Sequence, residues 1–188
     1  KALLDFSKKH NLKIGTIADL INYRIFNEQT VQRLEGKSVK TEHGKFNLIL
    51  YKDLIFEETH IVLQKGRISK NTPTLVRVQQ SNLYHDLLNI DEFGTRWSVS
   101  DAMKKINKAG NGIILLIDGD NNKENEFKEI RASKKKRKTI PNNDPRRIGI
   151  GSQILRDLGV KKIKLMGSEV RYPSLSGFDL EVTEYIKK

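Results

Sequence analysis

Few residues in this chain are of the types that carry covalent or metal-assisted chemistry. Its 188 residues include no cysteine, which excludes disulfides, thiolate nucleophiles and thiolate ligands of a metal ion. Four histidines are present, but none is paired at the i, i+4 spacing that lets two rings on one helix face share a metal. His43, His60 and His85 are therefore predicted to have surface or capping roles, and no pattern indicates an activated nucleophile.

Positive charge is the other chemical feature of the sequence. The net charge of +12 favours contact with an anionic partner, although scattered surface lysines give the same balance. The run KKKRK at 134–138 could bind RNA, a polyphosphate or an acidic protein face, but it contains no aromatic residue for base stacking. A nucleic-acid-binding module and a solvent-exposed loop are therefore both open interpretations. Trp97, the one tryptophan, is interpreted as a packing anchor or, alternatively, as a surface on which a ligand stacks.

The first half of the chain predicts a helix followed by strands. Thr16 and Asp19 form a T-x-x-D capping pattern, which predicts a helix that ends near Gly36. From Val39 the hydrophobic period changes to two, and VKTEHGKFNLILY predicts a hairpin that bends at Gly44. The segments HIVLQKG and TPTLVRVQ predict two further strands, so an antiparallel set is expected to open the domain.

The second half predicts alternating helices and strands. SVSDAMKKINKAGNG is typical of a capped amphipathic helix that ends at Gly110 to Gly112, and GIILLID predicts a central buried strand. NNKENEFKEIRASKKKRK predicts a helix that becomes a basic loop, and a helix, strand, turn and strand are predicted from Gly151 onward. The sequence therefore predicts an α/β fold with a mixed β-sheet flanked by helices.

The hydropathy of the chain bears on its location. No run approaches the roughly 18 apolar residues that a membrane-spanning helix needs, and no charged-then-apolar leader precedes the first helix. We therefore expect a cytoplasmic protein that is not inserted in a membrane. The length suits one good core, and the first residue is a lysine, so we expect the chain to be part of a longer protein.

Several segments resemble a known family. KKHNLKIGTIADLINYR is similar to the segment that joins the two halves of bifunctional riboflavin-biosynthesis enzymes, in which 3,4-dihydroxy-2-butanone 4-phosphate synthase precedes GTP cyclohydrolase II. THIVLQKG, NTPTLVRV, AMKKINKAGNGIILL and IGIGSQILRDLGVKKIKLM resemble the cyclohydrolase half in order and spacing. The resemblance implies that residues 1–36 are a connecting segment, including a helix, from a missing N-terminal synthase domain. Residues 37–188 are then a GTP cyclohydrolase II-like domain, expected to form a homodimer.

The resemblance also implies where a zinc site would lie. In active members, three cysteines in the motifs R-V-H-S-E-C and C-D-C hold a zinc ion that polarises the attacking water. When RVQQSN is aligned with the first motif, Asn82, Phe93 and Thr95 occupy the three ligand positions. An amide, a phenyl ring and a hydroxyl cannot form that site, so neither zinc nor GTP cyclohydrolase II activity is expected.

Other motifs of the family are altered as well. Its glycine-rich E-G-R-G-I-G segment corresponds to a stretch at Asp120 that lacks the glycines and the arginine. Its T-N-N-P-x-K segment keeps only a cation, with Arg171 in place of lysine. The chain is shorter than the family between 132 and 144, and Ser133 replaces a tyrosine that the family uses in its chemistry.

Three family positions are retained. Asp144 corresponds to the family's acid/base carboxylate, Arg146 to the arginine implicated at the α-phosphate, and Arg77 to the first residue of R-V-H-S-E. One interpretation is a residual nucleotide or phosphate pocket, to which Asp120 and Arg171 would also contribute. The other is that Asp144 caps the following helix and that the arginines are solvated.

The leading hypothesis is a catalytically inactive, zinc-free domain, a pseudoenzyme, attached to a synthase that requires magnesium. Its role would be structural, dimerising or regulatory, the last through a nucleotide or a flavin-pathway metabolite. One alternative is a metal-independent nucleotide-processing enzyme that uses Asp144 and Arg146. Another is nucleic-acid binding through the basic loop at 134–138.

Overall fold

The computed structural model describes residues 2–16, 19–20, 23–24, 27–80, 86, 97–118, 145–170 and 173–188. Its first element, helix α1 (Ala2–Lys9), buries none of its residues. Farther along, the hydroxyl of Thr16 accepts a hydrogen bond from the backbone N–H of Asp19 at 3.0 Å, and the Asp19 carboxylate accepts one from the backbone N–H of Thr16 at 3.3 Å. This reciprocal pair confirms the predicted capping pattern.

A seven-stranded mixed sheet forms the centre of the molecule. Its spatial order is β1-β2-β3-β5-β4-β6-β7. Strands β1, β2, β3 and β5 pair antiparallel, whereas β5, β4, β6 and β7 pair parallel. The strands are β1 (Val31–Thr41), β2 (Gly44–Asp53), β3 (Thr59–Lys65), β4 (Thr74–Gln80), β5 (Gly112–Ile117), β6 (Lys162–Met166) and β7 (Glu181–Ile186).

Helices cover both faces of this sheet. Helix α2 (Val99–Ala109) begins where the Ser98 hydroxyl accepts a hydrogen bond from the backbone of Asp101, and it ends at Gly110, whose φ of 80° is left-handed. Helix α3 (Pro145–Asp157) and a 3₁₀ helix (Pro173–Phe178) lie on the other face. Within the described ranges, no helix is long and apolar enough to cross a membrane.

The core consists of two apolar layers separated by the sheet. On the α3 face, Ile154 of α3 packs in one cluster with Val62 and Leu115 of the strands. On the α2 face, Ile106 of α2 packs in a second cluster with Ile114. Strand β5 therefore buries side chains on both faces, as its uninterrupted GIILLI sequence predicts.

Comparison with the sequence predictions shows agreement and two errors. The α/β class, the mixed sheet, the bend at Gly44 and the central position of β5 are confirmed. The helix predicted to begin at the Thr16–Asp19 cap was expected to continue to about Gly36, but residues 31–36 belong to strand β1. Strand β4 was expected in the opening antiparallel set, yet it lies between β5 and β6 and is parallel to both. Hydrophobic periodicity identified β4 as a strand, but it carries no information about the neighbours that β4 pairs with.

Candidate functional site

A polar cluster lies at the sheet edge where the parallel strand β5 ends. In open α/β sheets this is the edge at which ligands bind. Asp53 is the last residue of strand β2, and Glu58 lies in the connection between β2 and β3. His60 is the second residue of β3. Asp118 follows the last residue of β5, and Arg146 lies in the first turn of α3. We call Asp53, Glu58, His60 and Arg146 the edge cluster.

The turn between β2 and β3 brings the two carboxylates of the edge cluster together. One oxygen of Asp53 accepts hydrogen bonds from the backbone N–H groups of Ile55 at 2.8 Å and Phe56 at 3.3 Å. This is the local pairing by which aspartate stabilises turns. Glu57 has a φ of 58°, and the carbonyl of Glu58 accepts a hydrogen bond from the backbone N–H of Asp53 at 2.8 Å. The chain therefore reverses with Glu58 beside Asp53.

Arg146 supplies the positive charge of the cluster. Its guanidinium is 2.5 Å from the Glu58 carboxylate and 3.8 Å from that of Asp53. It also lies 3.4 Å from the centre of the Phe56 ring, within the range of a cation–π contact. Asp53 is 1% exposed and Arg146 29% exposed, so the carboxylate depends on this cation for compensation. The prediction that Arg146 is solvated is therefore wrong.

His60 is fully buried beside this ion pair. Its Nδ1 accepts a hydrogen bond from the backbone N–H of Asp118 at 3.1 Å, so a neutral ring carries its proton on Nε2. Within the described residues, Nε2 is buried and has no hydrogen-bond partner. Burial lowers the pKa of His60, and the nearby carboxylates of Asp53 and Glu58 oppose that shift. Of the predicted surface or capping role, the surface position is wrong because the ring is enclosed, whereas Nδ1 does accept the backbone N–H that follows β5.

The edge cluster has the residue types of a metal site. One ligand atom each from Asp53, Glu58 and His60 lies within 4.8 Å of the others. However, the Arg146 guanidinium already contacts the Glu58 carboxylate and is near Asp53. A divalent ion would have to displace this partly buried cation. The cluster is therefore best described as a structural ion pair.

Zinc of the kind implied by the family resemblance does not fit this chain. The chain contains no cysteine, and tight zinc sites with an open position need anionic or imidazole ligands. The positions of Asn82, Phe93 and Thr95 lie outside the described residues, as do Asp120, Ser133, 134–138, Asp144, Arg171 and His85. What the sequence predicted for the structure at these positions stays a prediction.

Arg77 lies on the opposite face of the sheet from Arg146. It pairs in register with Ile114, a member of the α2-face cluster. Its guanidinium donates hydrogen bonds to the carbonyl of Met166 at 2.8 Å and to that of Trp97 at 3.3 Å. Arg77 thus joins the middle of β4 to the end of β6 and to the segment just before α2, and it too is not simply solvated.

Trp97 and His43 both occupy structural positions. Trp97 is 8% exposed, packs in the α2-face cluster and donates its indole N–H to the carbonyl of Ile186 at 3.2 Å. This contact agrees with the packing role of the tryptophan. The Nε2 atom of His43 lies 2.8 Å from the hydroxyl of Ser100 and 2.9 Å from the carboxylate of Glu42. His43 therefore links the β1–β2 turn to α2.

Sequence reasoning missed the partners of Arg146. Asp53, Phe56 and Glu58 lie in the segment DLIFEETH, where an aspartate and two glutamates flank three apolar residues. That composition indicates a turn before a strand. It does not indicate a distant arginine, because residues 58 and 146 become neighbours only when α3 packs on the sheet.

Comparison with known proteins relates the chain to one family. Residues 32–187 match the family model described as GTP cyclohydrolase II. A protein of Pseudomonas aeruginosa named 3,4-dihydroxy-2-butanone 4-phosphate synthase is 41% identical over 191 residues, covering 96% of this chain and 50% of that protein. The riboflavin biosynthesis protein RibBA of Aquifex aeolicus is 36% identical over 196 residues, covering 98% of this chain and 48% of that protein.

A solved structure is similar over the same span. It is the crystal structure of RibBX, described as a two domain 3,4-dihydroxy-2-butanone 4-phosphate synthase from A. baumannii. It matches with a TM-score of 0.60 and 37% identity, covering 99% of this chain and 48% of that one. The chain therefore spans about half the length of these three relatives.

We predict that Arg146→Gln destabilises the fold by about 2 to 3 kcal/mol, because two partly or fully buried carboxylates lose their cation. Urea-induced unfolding measures the change. Arg147→Gln is the matched control, since it removes the same charge from the next position of α3, where the guanidinium donates to the side chain of Gln80 at 2.6 Å. Its free energy of unfolding should fall by about 1 kcal/mol. An equal decrease in the free energy of unfolding of the two variants would contradict the assigned role of Arg146.

We predict that His60 makes the free energy of unfolding depend on pH near neutrality. The pKa of His60 is lowered from 6.5 in the folded chain, so the unfolded chain takes up the proton first. The free energy of unfolding is then highest at pH values above 6.5, where the ring is neutral in both states, and it falls as the pH drops below 6.5. Unfolding measured from pH 8 to about 5 should give a shallower slope for His60→Gln. His10→Gln, which removes an exposed ring, is the control, and an unchanged slope in His60→Gln would refute the prediction.

Proposed function

The chain belongs to the GTP cyclohydrolase II family, and from this premise we propose that it is a catalytically inactive, zinc-free member. The observation that carries the proposal is the complete absence of cysteine. The family chemistry implied by the resemblance uses three thiolates to hold the zinc that activates water. Without them, this chain cannot hold a zinc ion in the way that the family chemistry uses.

The contacts of the retained arginines support this proposal. The guanidinium of Arg146 is engaged by Glu58 and stacked on Phe56, and that of Arg77 is hydrogen-bonded to backbone carbonyls. The two lie on opposite faces of the sheet. Binding one phosphate group with both would require each to leave its present contacts. These arginines are therefore better suited to maintaining the scaffold than to nucleotide chemistry, and the same contacts disfavour the metal-independent alternative.

The role that we propose is support of a synthase domain elsewhere in a longer protein. Relatives that match this chain over half of their length are named 3,4-dihydroxy-2-butanone 4-phosphate synthase. In the longer protein, the synthase half would carry the reaction with magnesium, in the cytoplasm. This half would hold two copies together as a homodimer, or would regulate the synthase through a nucleotide or flavin-pathway metabolite.

We predict that the 188-residue chain, mixed with GTP, magnesium and zinc, forms no diaminopyrimidine product and binds less than one zinc per chain. Product can be followed by absorbance and zinc by elemental analysis. If the loop keeps the family's frame, Asn82→Cys/Phe93→Cys/Thr95→Cys should gain one zinc. The same three positions changed to serine are the matched control, because hydroxyls bind zinc poorly. Product formation by the unaltered chain would refute the proposal.

The supporting role is tested in the longer protein. Deleting residues 31–188 should lower the fraction of dimer at a given protein concentration, and with it the synthase rate in dilute solution. Sedimentation measures the dimer and a standard turnover assay measures the rate. If the dimer and the rate are both unchanged, the domain has neither a dimerising nor an activating role, and this part of the proposal fails.

A further inference from the structure

We propose that a basic cleft on the α3 face, over strands β1 and β2 and the end of β3, binds a phosphorylated polyhydroxy compound such as a sugar phosphate. The cleft has a volume of about 520 Å³, within the range of small-molecule sites. Its walls include Arg33, Gly36, Asn47, Gln64, Arg67 and Asp157. No residue of the edge cluster takes part in it.

The strand registers fix the position of the cleft. Gln64 pairs with Asn47, and the next residue, Lys65, pairs with Gly112 at the start of β5. His60, in contrast, bonds to Asp118 just after the end of β5. Arg33 pairs with Tyr51, which in turn pairs with His60. The cleft therefore extends from the level of the start of β5 to the level of His60, on the β1 side of Tyr51, and it shares no residue with the edge cluster.

A β-bulge shapes the floor of the cleft. Arg33 pairs with Tyr51 and Gly36 pairs with Ile49, so β1 has one more residue than β2 in this interval. Because of the extra residue, Arg33 and Gly36 lie on the same face although they are three positions apart. A Cβ at Gly36 would contact the side chain of Ile49 at 3.4 Å. Glycine therefore leaves the space beside Arg33 open.

Two arginines supply the charge for an anion. Arg33 and Arg67 are exposed, and no hydrogen bond or ion pair joins either guanidinium to another residue of the chain among the contacts described. Guanidinium groups bind phosphate in a planar, bidentate manner. Lys37 also borders the cleft, but it pairs with Leu48, which packs on the α2 face. We therefore assign the phosphate to Arg33 and Arg67.

Asp157 favours a ligand that also carries hydroxyl groups. One of its carboxylate oxygens accepts a hydrogen bond from the Tyr51 hydroxyl at 2.5 Å. Burial raises the pKa of Tyr51 well above its ordinary range, so the phenol stays protonated and continues to donate. The carboxylate repels inorganic phosphate but can accept from a sugar hydroxyl. Amide groups of Asn47 and Gln64 line the same space.

The test uses the full 188-residue chain and isothermal titration calorimetry with ribose 5-phosphate, ribose and inorganic phosphate. We expect ribose 5-phosphate to bind more tightly than either of its parts. Arg33→Gln/Arg67→Gln should weaken its binding at least tenfold, about the effect of losing one charge-assisted hydrogen bond. Lys40→Gln/Lys70→Gln removes the same charge from β1 and from the loop after β3, outside the cleft, and should bind as the parent chain does.

Two further variants test the shape and selectivity of the cleft. Gly36→Val fills the floor while keeping every charge, and it should weaken binding of ribose 5-phosphate. Asp157→Asn should reduce the preference for ribose 5-phosphate over inorganic phosphate. Far-ultraviolet circular dichroism confirms that each variant is folded.

Three results would overturn the proposal. The first is no binding of ribose 5-phosphate by the parent chain. The second is an equal loss of affinity for ribose 5-phosphate in the two charge-matched double variants, which would indicate general attraction to a basic protein. The third is binding of a short single-stranded RNA through Arg33 and Arg67 without any response to ribose 5-phosphate, which would assign the cleft to a nucleic acid.

Discussion

The pairing of strand β5 determines the arrangement of everything else in the molecule. It is antiparallel to β3 on one side and parallel to β4 on the other. The antiparallel half and the parallel half of the sheet therefore meet at β5. Both of its faces are buried, against α3 on one side and α2 on the other. The edge cluster therefore lies beyond its carboxyl end. The basic cleft lies to one side of β5, over β1, β2 and the end of β3.

Local sequence signals were sufficient for most of the elements but not for their pairing. Ser98 and Gly110 delimit α2, and the change of period after Val39 and the bend at Gly44 mark the hairpin, because each of these signals acts within a few residues. The first helix was predicted too long because EQTVQRL can be read with a helical period, whereas pairing with β2 makes residues 31–36 extended. The position of β4 between β5 and β6 depends on long-range packing, which a local pattern does not encode.

At the functional positions, too, the sequence identified residues but not the groups that they contact. The absence of cysteine follows from the composition alone. Arg77 and Arg146 were identified as retained family positions, but their present partners could not be anticipated, since a guanidinium serves a phosphate and a carboxylate equally well. Which one it contacts is decided by the β2–β3 turn, which places Glu58 beside Arg146. The same limit applies to Arg33, whose place in a cleft depends on a bulge visible only in the strand register.

Helix α3 is attached to the sheet at three points along its length. Its 13 residues span about 18 Å at the usual rise of an α-helix. It is attached near its start by Arg146 to Glu58, in its middle by Gln153 to the backbone of Thr30, and at its end by Asp157 to Tyr51. A tilt of the helix at one end must therefore strain the attachments at the other. All three attachments reach the same end of the sheet, since Thr30 bonds to Leu54 in the β2–β3 connection and Tyr51 pairs with His60. The helix therefore holds β1, β2 and the β2–β3 connection together beside the edge cluster.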